Sequence, residues 1–551
     1  MQSCLRNRDV IYISNRVPPA GSTIPKLNPV ICIMSLSSSF TNGTGTTSSA
    51  HISTDDDIAA ARQRFAEASL EASKHNTADS LPANVTVVRI PSHAAFTDGK
   101  IQLSPYDLSC LGRTVPMVWF YRETLNTEKL LSSFAMILMS HPVLSGRYDG
   151  TTPPTWIALN NAGVPIEIVE DEKSTIDQAI SHLPSATSSE ATATMFPVQL
   201  HAKYVPEKKG MDPDTSSPHV PLLKIKITTF QGRPGQEQGG TAIGILCQHG
   251  VLDGEAMITM MRNWSNIYRG EGLDPIPNHD RMTALEPEAV TTAPIDSTIN
   301  STNDSTISTE ATFVVVPKGE KFIPPFAQQM PKIMGDPKQC VACCVPFPKM
   351  MCASWKEESK KVLPEGKFCS TDDLLTARTW QALTKVRCNQ VGVALDDENI
   401  TTTLSRAYNF RKRTDPPLGP SYCGNGTTGV RTTMAVKELL SMTPSELAHR
   451  LRQDIIATPV EMISVRAKWL KGQYDKGCTV APVTDQQALT FIISSWNFDW
   501  EGVNFNATPI CYDMGAIVPI VAVIVPRKGG DGFQVYVSGP GSDMEKFAAI
   551  V

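Results

Sequence analysis

A histidine and an aspartate four residues apart, each followed by glycine, are the residues of this chain best suited to do chemistry: Cys247-Gln248-His249-Gly250-Val251-Leu252-Asp253-Gly254. An imidazole titrates near pH 6.5 when unperturbed, so its neutral form accepts a proton from a hydroxyl or an amine around neutral pH. A carboxylate so near in sequence can balance charge in a site or cap a following helix. Taken alone the octapeptide leaves both readings open, because His249 could equally fill a turn beside a capping Asp253. Zinc is the weaker reading: the other ligands would have to come from elsewhere, and no second histidine is spaced for the purpose.

The flanking segments say how these residues must be held. Residues 220–230 alternate Leu223, Ile225 and Ile227 with Lys224 and Lys226, and residues 241–248 alternate through Ile243, Ile245 and Cys247. That period of two marks half-buried strands, and the Gly-rich 231–240 between them, with Pro234, makes a hairpin. Downstream, Ala256, Met257, Met260, Met261, Trp264, Ile267 and Tyr268 recur at helical spacing, with Gly270 where a C-cap belongs. Asp253 or Gly254 then starts the helix, and His249 falls on a strand-to-helix turn, where scaffolds present reactive side chains.

H-x-x-x-D-G between a strand and a helix resembles the active-site motif of the BAHD acyl-CoA-dependent acyltransferases, and further segments resemble that family in its own order. Residues 130–147, ending Ser140-His141-Pro142-Val143-Leu144-Ser145-Gly146-Arg147, are similar to its "fyPLAGR" segment. Ser370-Thr371-Asp372-Asp373-Leu374-Leu375 through Trp380 is similar to its "STFDALAAHVW" helix. Arg411-Lys412-Arg413 with Pro416-Pro417-Leu418, then Tyr422-Cys423-Gly424-Asn425, resembles "R-x-R-x-x-PPLP…YFGN". Val525-Pro526 to Gly532 and Asp543-Met544-Glu545-Lys546-Phe547 resemble the closing hairpin and helix. Five matches in order are far more specific than any one of them.

One signature departs. Where the family has D-F-G-W-G, after Ser495-Trp496, this chain reads Asn504-Phe505-Asn506-Ala507-Thr508, keeping only the Phe. The resemblance places that segment near the coenzyme A channel, so the departure bears on donor binding and rate more than on fold. Trp500-Glu501-Gly502 is the candidate to fill part of the same space.

The resemblance implies an α/β fold of two chloramphenicol-acetyltransferase-like domains, mixed sheets flanked by helices, with the active site at their interface. It makes His249 the general base of a ternary-complex transfer from acyl-CoA to a hydroxyl or amine of a small metabolite. Asp253 takes a structural role, paired with Arg411 or alternatively Arg413. Gly250 and Gly254 would allow the tight turn and a close substrate approach. Ser494, Ser495, Trp496, Asn504 and Phe505 are the expected substrate and coenzyme A contacts. Two other readings stay open: a non-catalytic ligand-binding relative, and a carrier-dependent condensation-type enzyme, whose motif begins H-H where this chain has Gln248-His249.

Composition agrees with a small-molecule enzyme. The chain has 551 residues, enough for two domains, with 41% hydrophobic and 19% charged residues, the balance of a globular protein. A net charge of -5 gives no basic footprint for nucleic acid. The expected partners are acyl-CoA as co-substrate and a small acceptor, with no bound cofactor, no metal and a monomeric state. Thirteen cysteines, an odd number, argue for reduced thiols and a cytoplasmic protein. Cys340, Cys343, Cys344, Cys352 and Cys369 invite a metal reading, but a lone C-x-x-C is weak evidence beside buried thiols.

Along the chain, residues 1–83 form an appendage. Its first part, poor in acid with Arg6, Arg8, Arg16 and Lys26, is an alternative organelle-transit signal, and residues 55–73 are Ala-rich and helix-prone. No stretch is long and apolar enough for a membrane span. An N-terminal domain over 84–285, a crossover loop over 286–348 and a C-terminal domain over 349–551 complete the expected organisation. Asn126 should cap a helix stopped by Pro142; Ser370 should open another with Asp373. Thr443-Pro444-Ser445-Glu446 and Thr458-Pro459-Val460-Glu461 are expected as two helix starts of one design.

Overall fold

The computed structural model describes residues 82–551 apart from 92–98, 152, 182–191, 198–202, 209–218, 233–238, 283–284, 286–311, 321, 337–338 and 515–517. The readings made for residues 1–81 and for the Thr/Ser/Asn-rich stretch around 291–309 fall outside the described residues.

Two mixed sheets carry the fold. In the first, six strands run in the order Val85–Val88, Val164–Asp171, Leu223–Phe230, Gly240–Gln248, Thr114–Tyr121 and Cys511–Asp513. The expected hairpin is there: Leu223–Phe230 and Gly240–Gln248 pair antiparallel from Leu223 opposite Cys247 to Phe230 opposite Gly240. Seven strands make the second sheet, in the order Thr427–Ala435, Thr401–Asn409, Thr490–Ser495, Val521–Pro526, Phe533–Pro540, Cys340–Phe347 and Thr194–Pro197. Helices Thr127–Ser140 and Gly254–Arg269 pack together beside the first sheet, and Thr371–Val391 with Pro444–Ala457 beside the second. The mixed α/β architecture is the one expected.

The halves are interlocked. Cys511–Asp513, late in the chain, adds an edge to the first sheet by pairing with Val118 to Phe120, while Thr194–Pro197, early in the chain, pairs with Val341 to Cys344 in the second. One hydrophobic core contains Trp119, Ile243 and Trp264 together with Phe410, Tyr422, Trp500 and Tyr536; a second lies within the C-terminal half around Leu375, Trp380 and Leu404.

Helix punctuation follows the sequence closely. Asn126 caps Thr127–Ser140, and Ser370 with Asp373 and Thr443 with Glu446 close reciprocal capping boxes. Two expectations need correcting. Residues 286–348 are not loop throughout: Phe313–Val316 and Cys340–Phe347 are strands, the latter paired on both sides. That strand is apolar on both faces, so it has no alternation to announce it. Thr458 does not open a helix; its hydroxyl donates back to the Asp454 carbonyl at 2.8 Å, and the next helix begins at Glu461 without a side-chain cap. The clustered cysteines are buried free thiols, split by the pleat, Cys343 into one core and Cys344 into the other. Among the described residues no group of His, Cys, Asp and Glu side chains is arranged to hold a metal.

Candidate active site

The strand Gly240–Gln248 is buried along its whole length and paired on both sides, a rigid rod that ends at His249. The His249 amide donates to the Arg113 carbonyl at 2.8 Å, and the Val251 amide to the Gln248 carbonyl at 3.0 Å, closing the turn. Asp253 is the N-cap of helix Gly254–Arg269: its Oδ1 accepts from the Ala256 amide at 3.0 Å, and Gly270, at φ 86°, ends the helix in the left-handed conformation.

Both glycines of the motif are crowded by protein neighbours. A Cβ on Gly250 would lie 2.9 Å from the Tyr148 hydroxyl and 3.0 Å from Leu111 Cδ2. On Gly254 it would lie 3.0 Å from the Trp496 ring.

Asp253 is fully committed. Arg411 grips it from the other half of the chain, Nη1 to Oδ2 at 2.7 Å and Nη2 to Oδ1 at 2.8 Å, and the Gly426 amide donates to Oδ2 at 2.8 Å. Burial alone would raise the pKa of this carboxyl, but Arg411 and the two amides hold it below the ordinary value, so it stays an anion. Arg411 also donates to the Gly424 carbonyl at 3.1 Å. The alternative partner is excluded: the Arg413 guanidinium lies over the Tyr408 ring at 4.5 Å.

His249 differs from its buried neighbours in being partly exposed. Nδ1 is buried without a regular hydrogen-bond partner. The thiol of Cys110, which follows the short helix Pro105–Leu108, interacts electrostatically with the ring. Burial pushes the imidazole pKa down, but Cys110 outweighs it and lifts the pKa to about 9, with Arg113 opposing. For Cys110, burial works upward, yet His249 pulls the thiol below its usual value.

Behind the ring, the His249 carbonyl accepts from Asn425 Nδ2 at 2.8 Å. Asn425 is fixed by Asp107, whose Oδ1 accepts from Asn425 Nδ2 at 2.8 Å and from the Asn425 amide at 2.9 Å. Asp107 Oδ2 accepts from the Ser104 amide at 2.8 Å and pairs with Arg281 Nη1 at 3.0 Å. Arg281 Nη2 then donates to the Val251 carbonyl at 2.9 Å.

The remaining expected residues divide. Trp496 packs on Gly254 and donates from Nε1 to Ser494 Oγ at 3.0 Å, which brings the partly buried Ser494 and Ser495 toward the turn. Phe505 is not a coenzyme A contact: it is sealed in the core, edge-on to Tyr121, Trp264 and Tyr268. Asn504 stands at the surface of that core, its Nδ2 donating to Thr508 Oγ1 at 3.1 Å. Trp500, also buried, stacks on Tyr512 with ring centroids 5.1 Å apart. Asn506, aligned with the first glycine of D-F-G-W-G, holds φ 62°. Asparagine tolerates that left-handed conformation better than other side chains, so the turn survives the loss of glycine.

Cys110, Asp107, Asn425 and Arg281 were not singled out as site residues from the sequence. Only Asn425 had a signal, as the last residue of the stretch resembling YFGN.

A family model described as Transferase family matches residues 85–322 and 353–550, most of the chain. The chain belongs to this family, the BAHD acyltransferases. Among curated members it is 22% identical over 469 residues to tryptamine benzoyltransferase 1 of Oryza sativa subsp. japonica, covering 82% of this chain and 89% of that protein. Agmatine coumaroyltransferase-1 of Hordeum vulgare is 24% identical over 270 residues, 48% of this chain and 52% of the relative. In fold this BAHD chain is similar to vinorine synthase, with a TM-score of 0.59 and 18% identity over 85% of this chain and 97% of that one. It is equally similar to F. graminearum TRI101 complexed with coenzyme A and deoxynivalenol, with a TM-score of 0.59 and 17% identity over 82% and 97% of the two chains.

Proposed function

We propose that this BAHD acyltransferase moves an acyl group from acyl-CoA to the hydroxyl or amine of a small metabolite, with His249 as general base. The carrying observation is the contrast within the motif. Asp253 is buried and saturated by Arg411 and two amides, whereas His249 is partly exposed at the end of a rigid strand. The carboxylate builds the turn and the imidazole does the chemistry.

His249 in its neutral form takes the acceptor proton as the acceptor oxygen or nitrogen attacks the thioester carbonyl. The tetrahedral intermediate collapses, the C–S bond breaks, and the imidazolium returns the proton to the coenzyme A thiolate, so no covalent enzyme intermediate is needed. Ser494, whose Oγ accepts from Trp496 and keeps its own proton to donate, is the candidate donor to the oxyanion. Acyl-CoA enters as co-substrate. Gly426 and Arg411 serve the Asp253 pair and not the substrate.

The test is purified protein offered a panel of acyl-CoAs with pooled alcohols and amines, including tryptamine and agmatine, the amines named for its relatives. Free thiol should appear with at least one pair and an ester or amide should form in equal amount. Coenzyme A binding without turnover of any pair would favour the non-catalytic reading instead.

A further inference from the structure

We propose that Arg89 and Arg147 form a second binding site, for a phosphate dianion, apart from the His249 turn. Arg147 closes the segment similar to "fyPLAGR", and nothing in the acyl-transfer reading uses it. The two arginines meet at Gly163. Arg147 Nη1 donates to the Gly163 carbonyl at 3.0 Å and to the Gly146 carbonyl at 2.7 Å, while a Cβ on Gly163 would lie 2.8 Å from Arg89 Cγ. Arg147 is only 8% exposed and Arg89 is half-buried. Neither guanidinium has a carboxylate partner among the described residues; burial, and then the nearby Arg89 charge, bring the Arg147 pKa down to about 10.

The donors left over decide the ligand. With Nη1 taken by two carbonyls, Nε and Nη2 of Arg147 keep the guanidinium edge that offers two parallel N–H donors, and neither is sealed from solvent. That edge fits two oxygens of one carboxylate or phosphate. Carbonyl dipoles hold Arg147 in place without neutralising it, so two positive charges face the ligand with no acid between them, and a dianion matches them better than a single carboxylate. The frame is fixed before any ligand arrives. The Gly163 amide donates to the Ser145 carbonyl at 3.0 Å, and Asn161 clasps Ile90, next to Arg89, accepting from its amide and donating to its carbonyl, both at 2.9 Å. Side chains alternate along a strand, so Arg147 points away from Tyr148, whose hydroxyl packs against Gly250 of the motif. The phosphate site therefore lies on the other face of that strand from the acyl-transfer motif.

The test is thermal unfolding of the full chain in inorganic phosphate against sodium chloride at matched ionic strength, so that screening is the same in both. Phosphate should raise Tm along a saturating curve, the mark of a ligand that binds the folded state. Arg89→Gln, which removes a half-buried charge, should weaken phosphate by about ten-fold or more. Arg147→Lys keeps the charge but not the two-donor edge, and should lose at least as much. No rise beyond that in chloride overturns the inference, and so does a rise that Arg89→Gln leaves unchanged. Arg89→Gln decides the matter even where Arg147→Lys fails to fold. Glycerol 3-phosphate is the monoester probe: binding about ten-fold tighter than inorganic phosphate, and lost in Arg89→Gln, assigns the site to a phosphorylated metabolite, whereas equal or weaker binding assigns it to free phosphate. Acetate binding as tightly as phosphate overturns the choice of a dianion. None of these outcomes depends on His249 being the base.

Discussion

At the scale of single residues, the Cys110–His249 contact makes an unusual statement about pH. A protonated imidazole cannot take the acceptor's proton, and Cys110 stabilises that protonated form up to about pH 9. In the free enzyme kcat/KM should therefore rise with pH through the neutral range and level off near pH 9. Removing the thiol leaves burial and Arg113, both of which favour the neutral ring. Cys110→Ala should move the acidic limb of the pH profile to lower pH and raise kcat/KM at pH 7 by up to about 100-fold, toward the behaviour of an ordinary imidazole. An unmoved limb would show that the thiol does not govern the ring. His249 and Asp253 were legible in the sequence because they are close neighbours on an interpretable turn. Cys110 was not, because its partner is reached only when strand Thr114–Tyr121 pairs with strand Gly240–Gln248 and carries the preceding segment to the histidine.

Elements explain how the turn keeps its shape. Asp253 serves two at once: it caps Gly254–Arg269 and binds Arg411 beyond strand Thr401–Asn409. Asp253→Ala leaves the Arg411 guanidinium buried and unpaired, and removing one partner of such a pair destabilises by about 3–5 kcal/mol. Chemical denaturation should show that loss, together with a fall in turnover as the His249 turn relaxes. Asn506 makes a smaller and more diagnostic case. Asn506→Gly should fold at least as stably as the parent, whereas Asn506→Val should lose about 1–2 kcal/mol for placing a β-branched residue at positive φ. Equal stabilities would mean that the left-handed turn is not needed. Local patterns gave away these elements wherever a face was half-buried or a cap was present, as at Leu223–Phe230 and Ser370. They failed at Cys340–Phe347 and Cys511–Asp513, a strand apolar on both faces and a three-residue edge, neither with a readable period.

For the molecule as a whole, exchange of edge strands and a core shared across the halves make one folding body out of two sheets. Additional ties cross between them: the Tyr106 hydroxyl donates to the Ile463 carbonyl at 2.7 Å, and the Tyr121 hydroxyl to the Val503 carbonyl at 2.9 Å. Calorimetry should accordingly record one cooperative transition, and two well-separated transitions would contradict the shared core. The same interlocking puts His249 from one half against Asn425 from the other, and Asp253 against Arg411, so the His249 turn is braced only when the halves are joined. The central claim, that this partly exposed imidazole strips a proton while a thioester waits, is tested most directly by thiol release from acyl-CoA in wild type and His249→Gln. The two proteins should bind coenzyme A equally, with release in the variant lower by about 10²–10⁴-fold. Release at an undiminished rate from the variant would contradict the account.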